Sequence, residues 1–223
     1  MKLIQQGATA EVADAVQADP SLAASRDSQG VSALIWSIYC GQPLVRDFLL
    51  ARLDSDNIAL DVFEAAAVGD QARLKALLEA DGELVHAFSG DGWTALHLAA
   101  AFGTPAEVAL LVQARAPVDA VSQNPQRNHP LHAALALGRN VKTVELLLEH
   151  GAPVNAVQAG GFTPLFSAAS AGRRDLAELL LARGARPLHR SDAGKTAADL
   201  ARDRGHLEFA AWLESEEVRS SPS

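Results

Sequence analysis

The chain has 223 residues, 48% hydrophobic but only 5% aromatic, so its core must be built mainly from Ala, Leu and Val, which suits thin, closely stacked helices. A net charge of −8 argues against general attraction to nucleic acid or anionic lipid, both of which are polyanions. The single cysteine, Cys40, excludes an internal disulfide framework and suits a reducing compartment. The N-terminus turns polar before a signal-peptide core develops, and no run approaches the roughly 18 to 20 apolar residues that span a bilayer, so a cytoplasmic protein is expected.

Seven glycines punctuate the chain: Gly7, Gly41, Gly69, Gly103, Gly138, Gly172 and Gly205, at successive spacings of 34, 28, 34, 35, 34 and 33 residues. Each is expected to close one helix in the left-handed conformation and let the chain turn back into the next. Residues 1–26 read as a short capping unit with a brief or absent first helix before Gly7 and a second helix from about Glu11 to Gln17. Residues 27–52 follow the pattern loosely, with Ser32-Ala33-Leu34-Ile35 at the helix entry. Residues 53–86 keep the helix Leu60 to Val68, but the short spacing before Gly69 marks a deletion.

Residues 87–120 are regular. Thr104, Pro105 and Glu107 read as N-cap, first helical residue and capping-box partner, and Asp70 and Asn140 are candidate caps at matching positions. Residues 121–156 carry a loop, Val121 to Asn128, two residues longer than its counterpart after Ala156, with Arg127 where a turn glycine is expected. Residues 157–189 and 190–213 are regular again, and residues 214–223 form a polar tail expected to fray. In the second helix of successive units, apolar residues recur at helical spacing: Val108, Leu110, Leu111 and Val112, then Val144, Leu146, Leu147 and Leu148, then Leu176, Leu179, Leu180 and Leu181.

The best copy of the unit runs Asp91-Gly92-Trp93-Thr94-Ala95-Leu96-His97 and ends at Gly103; others show Thr163-Pro164-Leu165-Phe166 and Gly151-Ala152-Pro153-Val154-Asn155-Ala156. These motifs resemble the ankyrin repeat, whose period is about 33 residues, and from end to end the chain resembles stand-alone bacterial ankyrin-repeat proteins. The resemblance implies an all-α solenoid of about seven helix-turn-helix units with short β-hairpin fingers, forming one domain over residues 1–213. It implies a non-enzymatic protein-interaction module that binds another protein through its concave face of fingers and inner helices, as a monomer rather than a homo-oligomer. A small-ligand receptor or enzyme using the same groove, and a self-associating structural protein, are the rival readings.

Carried onto this sequence, the positions the family leaves variable are Trp36, Tyr39 and Cys40, then Val68, then Trp93, Ala101 and Phe102. The later units add Asn128 and Leu137, then Phe162, Ser170 and Ala171, then Lys195, Asp203 and Arg204, and the irregular finger adds Asn124, Gln126 and Arg127. Five of the eleven aromatic residues (Trp36, Tyr39, Trp93, Phe102 and Phe162) fall on this face, as binding hot spots require, although they would equally serve to stiffen the stack or fill the gap left by the deletion. Phe63, Phe166, Phe209 and Trp212 are expected in the core or capping its open end.

Catalytic, cofactor and metal sites are not implied. All seven histidines have places in the repeat frame; His97 and His132 stand where the family uses the imidazole to bind neighbouring backbone. His129 and His132 lie three apart, but no cysteine or third histidine is nearby in sequence. Gly194-Lys195-Thr196 lacks the first glycine of a phosphate-binding loop, and Cys40 has no basic cluster to activate it. Charge is unevenly spread, with 6 basic and 13 acidic residues in residues 1–90 against 8 and 5 in residues 173–206. Solvated outer faces would account for this, as would a partner with complementary ends.

Overall fold

A computed structural model describes residues 1–136 and 140–215. Fourteen α-helices among them form seven consecutive pairs. The first four helices are α1 (Lys2–Gln5), α2 (Thr9–Ala18), α3 (Ala33–Tyr39) and α4 (Pro43–Ser55). The middle pairs are α5 (Val62–Val68) with α6 (Gln71–Ala80), α7 (Ala95–Phe102) with α8 (Pro105–Gln113), and α9 (Pro130–Ala136) with α10 (Val141–Glu149). The last are α11 (Pro164–Ser170) with α12 (Arg174–Ala182), and α13 (Ala197–Asp203) with α14 (Leu207–Leu213). The chain is thus an all-α ankyrin-type solenoid, with inner helix α7 packed between α5 and α9, and α11 against α13.

Local signals start the helices where they are expected. Thr94, Thr104 and Thr196 each cap a helix and close a capping box, with His97, Glu107 and Asp199 respectively as the reciprocal partners. Asp70 accepts from Arg73 N, and Asn140 from Lys142 N. Gly7, Gly41, Gly69, Gly172 and Gly205 take φ between 63° and 85°, the expected left-handed stop. Gly138 lies outside the described residues. Gly103, in the most regular unit, departs from expectation with φ −76°. Its glycine is needed for space: a Cβ there would stand 2.7 Å from Ala66 O of the preceding inner helix.

The core divides at the third unit. Ile4, Val12, Val16, Leu34, Val45, Leu49 and Leu53 pack together at the N-terminal end. A second, longer cluster runs from Val62 and Leu74 through Leu96, Leu111, Leu131, Leu147 and Leu165 to Leu176, Leu180 and Leu213. Leu60 touches both. Between them a third patch, Val31, Ile35, Ala67 and Leu98, is covered by Trp36, Tyr39, Phe63, Trp93 and Phe102. The far end is closed by Phe209 and Trp212, stacked 5.6 Å apart with the Arg174 guanidinium 4.6 Å from the Trp212 ring.

Short hairpins project as fingers at Arg26–Ser32, Phe88–Thr94 and Gln158–Phe162, each closed by one antiparallel bridge. Two further turns are closed by Ser122 N to Asn128 O and Ser191 N to Lys195 O. Residues 56–61 run from α4 into α5 without a bridge, so the third unit has no finger. From the fifth unit onward each finger donates to its predecessor: Gln123 N to Gly92 O, Ala159 N to Gln126 O, and Asp192 N to Gly160 O.

Candidate functional site on the finger and inner-helix face

The missing finger shapes the face next to it. With nothing projecting from the third unit, the fingers of the second and fourth meet directly, so closely that a Cβ on Gly90 would fall 1.7 Å from Gln29 O. Beneath them, over α5, remains a cavity of about 100 Å³ whose lining includes Arg26, Asp61, Phe63, Tyr39 and Asp91. Arg26 crosses it to pair with Asp61 at 2.9 Å and, at 3.4 Å, with Glu64 of the α5 capping box.

Four of the five aromatic residues expected on the concave face come together beside this gap. Tyr39 is the hub: its ring centroid lies 6.0 Å from Trp36, 6.2 Å from Trp93 and 5.5 Å from Phe102, and Trp93 stacks on Phe102 at 6.2 Å. All four remain half-buried. Two of their polar atoms are tied to the fingers, Tyr39 hydroxyl to Asp91 Oδ2 at 2.6 Å and Trp36 Nε1 to Asp27 Oδ2 at 2.8 Å. Asp27 also accepts from Gln29 N and Val31 N; burial raises its carboxyl, but these bonds together hold it below the usual range. Burial, reinforced by Asp91, pushes the Tyr39 hydroxyl well up from its ordinary value. The rings therefore offer a shared apolar surface in which the polar edges of Trp36 and Tyr39 are already bonded. Asp27 and Asp91 escaped sequence reasoning because each reads as an ordinary turn residue; the 28-residue glycine spacing was the only signal that neighbouring fingers are rearranged.

The irregular fifth finger is less open than its sequence suggests. Arg127 does replace a turn glycine, at φ 49°, and is exposed with Gln126. Asn124 is half-buried, its Oδ1 accepting from Ser122 Oγ and Gln126 N while its Nδ2 donates to Asp91 O. Asn128, expected on the binding face, is only 8% exposed, and its carbonyl accepts from the buried His97 ring. Ala101, likewise placed on the variable face, is buried in the inner-helix stack. Both are corrections: a short inner helix leaves little room between core and surface, and repeat position alone does not resolve them.

Val68 is half-buried against the N-terminal core, Leu137 lies outside the described residues, and Lys195 is exposed but paired with Asp203. Phe162 is half-buried and meets Phe166 edge to face at 5.4 Å, well along the stack from the other four aromatics. It borders an open groove of about 430 Å³ between α11 and α13.

The titratable groups serve the scaffold. His97 accepts at Nδ1 from Thr94 N and Oγ1, so its Nε2–H donates to Asn128 O at 3.0 Å. His132 repeats this one unit on, accepting from His129 N and donating to Phe162 O at 3.2 Å. Burial lowers both imidazoles to about 4, with the neighbouring His129 adding to the effect at His132. His129 itself bonds Asp119 O at 3.0 Å. Among the described residues no three His, Cys, Asp or Glu side chains gather as a metal-binding group, and no helix is long and apolar enough to cross a membrane. Burial raises the Cys40 thiol, away from nucleophilic use.

Helix pairs stacked through a shared core, with fingers bonded one to the next, define a repeat solenoid of the protein-interaction class. The chain belongs to the ankyrin-repeat family: the family model described as ankyrin repeats (3 copies) matches residues 62–158 and 116–192, together more than half of it. It is similar to a Saccharomyces cerevisiae protein described as "Probable 26S proteasome regulatory subunit p28", 30% identical over 186 residues that cover 77% of this chain and 78% of that protein. A B-cell lymphoma 3 protein homolog of Mus musculus is 38% identical over 95 residues, 43% of this chain and 21% of that protein. A transient receptor potential cation channel subfamily A member 1 homolog of Caenorhabditis elegans is 32% identical over 157 residues, 70% of this chain and 13% of that one. Apart from the yeast protein, the chain spans about a fifth or less of these relatives. Ankyrin repeats are protein-interaction modules, and the fold is in general non-enzymatic.

Proposed function

We propose that the chain binds another protein through its concave finger and inner-helix face, with Trp36, Tyr39, Trp93 and Phe102 as the apolar anchor. The observation that carries this reading is their arrangement: four contiguous rings, none fully buried, on a scaffold whose finger turns are bonded to their neighbours. Such rings bury a large area on contact and lose little side-chain freedom, which is what a hot spot needs. Gln126 and Arg127, exposed at the fifth finger, would read the partner beside this anchor, with Val68 and Asn124 near it and Phe162 and Lys195 farther along the same face. Asn128 would contribute through finger shape alone.

In this reading residues 1–213 form one ankyrin-repeat domain, monomeric and cytoplasmic, without nucleic-acid or membrane partners. The similarity to a proteasome regulatory subunit over most of both chains supports an adaptor role of this kind. The test is an affinity capture from native lysate beside the double variant Trp93→Ala, Phe102→Ala, followed by titration of the purified partner. A binding loss of at least about 2 kcal/mol is expected from removing two central anchors. Wild-type affinity in a double variant that still melts cooperatively would remove the anchor from the proposal.

A further inference from the structure

The face that carries the aromatic anchor changes chemistry along its length. Counting back from the helix-ending glycines, the place of Phe102 before Gly103 is taken by Ala171 before Gly172 and by Arg204 before Gly205. The place of Leu98 is taken by Ser167, and that of Ala101 by Ser170. Between α11 and α13, therefore, no aromatic ring stands at the place that Phe102 fills farther along, and the groove of about 430 Å³ opens there. Its floor is apolar: Phe166, 2% exposed, with Phe162 leaning on it and Leu200 half-buried opposite.

Its polar groups are few and uncommitted. Ser167 and Ser170 place half-buried hydroxyls on one wall, and the exposed Arg204 guanidinium stands on the other. Among the described residues none of these three side chains has a hydrogen-bond or ion-pair partner. The nearby charges of α13 are spoken for: Asp203 pairs with Lys195, and Asp199 with Arg202 and the Thr196 cap. Residues 173–206 carry 8 basic against 5 acidic side chains, whereas residues 1–90 carry 6 against 13. An acidic segment is thus repelled by one half of the molecule and drawn to this end.

We infer that the α11–α13 groove takes an acidic segment of the partner protein, one large apolar side chain settling on Phe162, Phe166 and Leu200 while an adjacent carboxylate pairs with Arg204. The inference rests on the concave face being the binding surface and names the chemistry of the partner at its C-terminal end. A guanidinium with a free fork beside an apolar floor suits this combination, since a bidentate carboxylate pair supplies direction and the apolar contact supplies area.

The test is selection of randomised peptides displayed on phage against the immobilised full-length protein, with the variants Arg204→Glu, Ser167→Trp and Trp93→Ala, Phe102→Ala selected in parallel. Wild type is expected to enrich peptides with Asp or Glu next to Leu, Ile, Phe or Trp. Arg204→Glu and Ser167→Trp, which reverse the charge and fill the groove, are expected to lose them, while the aromatic double variant keeps them. In anisotropy titrations a selected peptide should bind Arg204→Glu at least about tenfold more weakly, and added salt should weaken its binding to wild type. Both groove substitutions are at partly or fully exposed positions, and Arg204→Gln gives a milder control should the charge reversal lower the melting temperature. Enrichment without acidic residues, no enrichment above empty support, or acidic peptides that survive Arg204→Glu would each overturn the inference. Loss of the acidic peptides in the aromatic variant alone would overturn it too, yet leave the aromatic anchor standing. Loss confined to the groove variants, with a native partner indifferent to Trp93 and Phe102, would support the groove and reject the anchor.

Discussion

The Tyr39 hydroxyl donates to Asp91 Oδ2 at 2.6 Å, linking inner helix α3 of the second unit to the finger of the fourth. The two residues are 52 apart in sequence, and a unit without a finger lies between them. In the other direction along the stack, finger follows finger through backbone bonds. Across the missing finger side chains do that work: Tyr39, Asp91 and the Arg26 pair with Asp61 and Glu64 surround the space the deletion leaves.

Tyr39→Phe keeps the ring contacts and removes only this bond. Because the acceptor is a carboxylate, a loss of about 1.5 to 3 kcal/mol is expected in urea unfolding. A midpoint unchanged from wild type would show that the bond contributes nothing.

Tyr39 is also the sole tyrosine, so its ionisation can be followed near 295 nm without a contribution from any other tyrosine, against the absorbance change of the three tryptophans measured in Tyr39→Phe. Burial and Asp91 raise its folded pKa above the unfolded value of about 10. The associated stability is complete below that pH and is lost as pH rises above it. Absorbance at 295 nm should therefore increase together with unfolding, and a separate rise near pH 10 in the folded protein would contradict the buried hydroxyl.

His97 and His132 give the opposite dependence on pH. Their folded values lie near 4, below the unfolded value of about 6.5, so the unfolded chain takes up protons first as the solution is acidified. Stability should fall from about pH 6.5 toward pH 4, by at most about 1.4 kcal/mol per pH unit for each histidine. Unfolding midpoints between pH 7 and 5, above most carboxylate titration, would reveal it. His97→Gln should flatten the slope, and an equally steep profile in that variant would assign the effect elsewhere.

Gly90→Ala tests the contact between the second and fourth fingers. The new methyl would lie 1.7 Å from Gln29 O, a backbone atom that cannot swing aside, so the fingers must separate. Overpacking of this kind costs about 1 to 3 kcal/mol, and changed tryptophan emission from Trp36 and Trp93 should accompany it. Wild-type stability and emission would show that the seam is loose.

Asn155→Ala probes a bond pair within a regular finger turn. Its Nδ2 donates to Gly184 O at 2.8 Å and its Oδ1 accepts from Arg186 N at 2.9 Å, joining adjacent units. Loss of both should cost about 1 to 3 kcal/mol, read from the thermal midpoint. A change under a few tenths would mean that water replaces the side chain without penalty.

The repeat frame was legible in advance because its signals are local. A cap such as Thr104 with Glu107 acts over three residues, and a left-handed stop such as Gly172 acts at one. The backbone-binding role of His97 was legible for the same reason, since it belongs to the repeat frame and regular units meet their neighbours in the same way. Gly103 was recognised for the wrong cause: its φ is ordinary, and Ala66 O of the preceding inner helix excludes a side chain. Asn128 and Ala101 were placed on the surface by repeat position, whereas packing against the neighbouring unit buries them.

Sequence by itself therefore determined that this is an ankyrin-type stack of about seven helix pairs, where caps such as Thr104 and stops such as Gly172 fall, and which finger is missing. Only the tertiary structure decided that the fingers on either side of the deletion close together, that Trp36, Tyr39, Trp93 and Phe102 form one cluster, and that Arg204 overlooks an apolar groove. The reason is range: caps and helix stops are settled within a turn of chain, while the deletion changes which units touch, and no local pattern records the new neighbour.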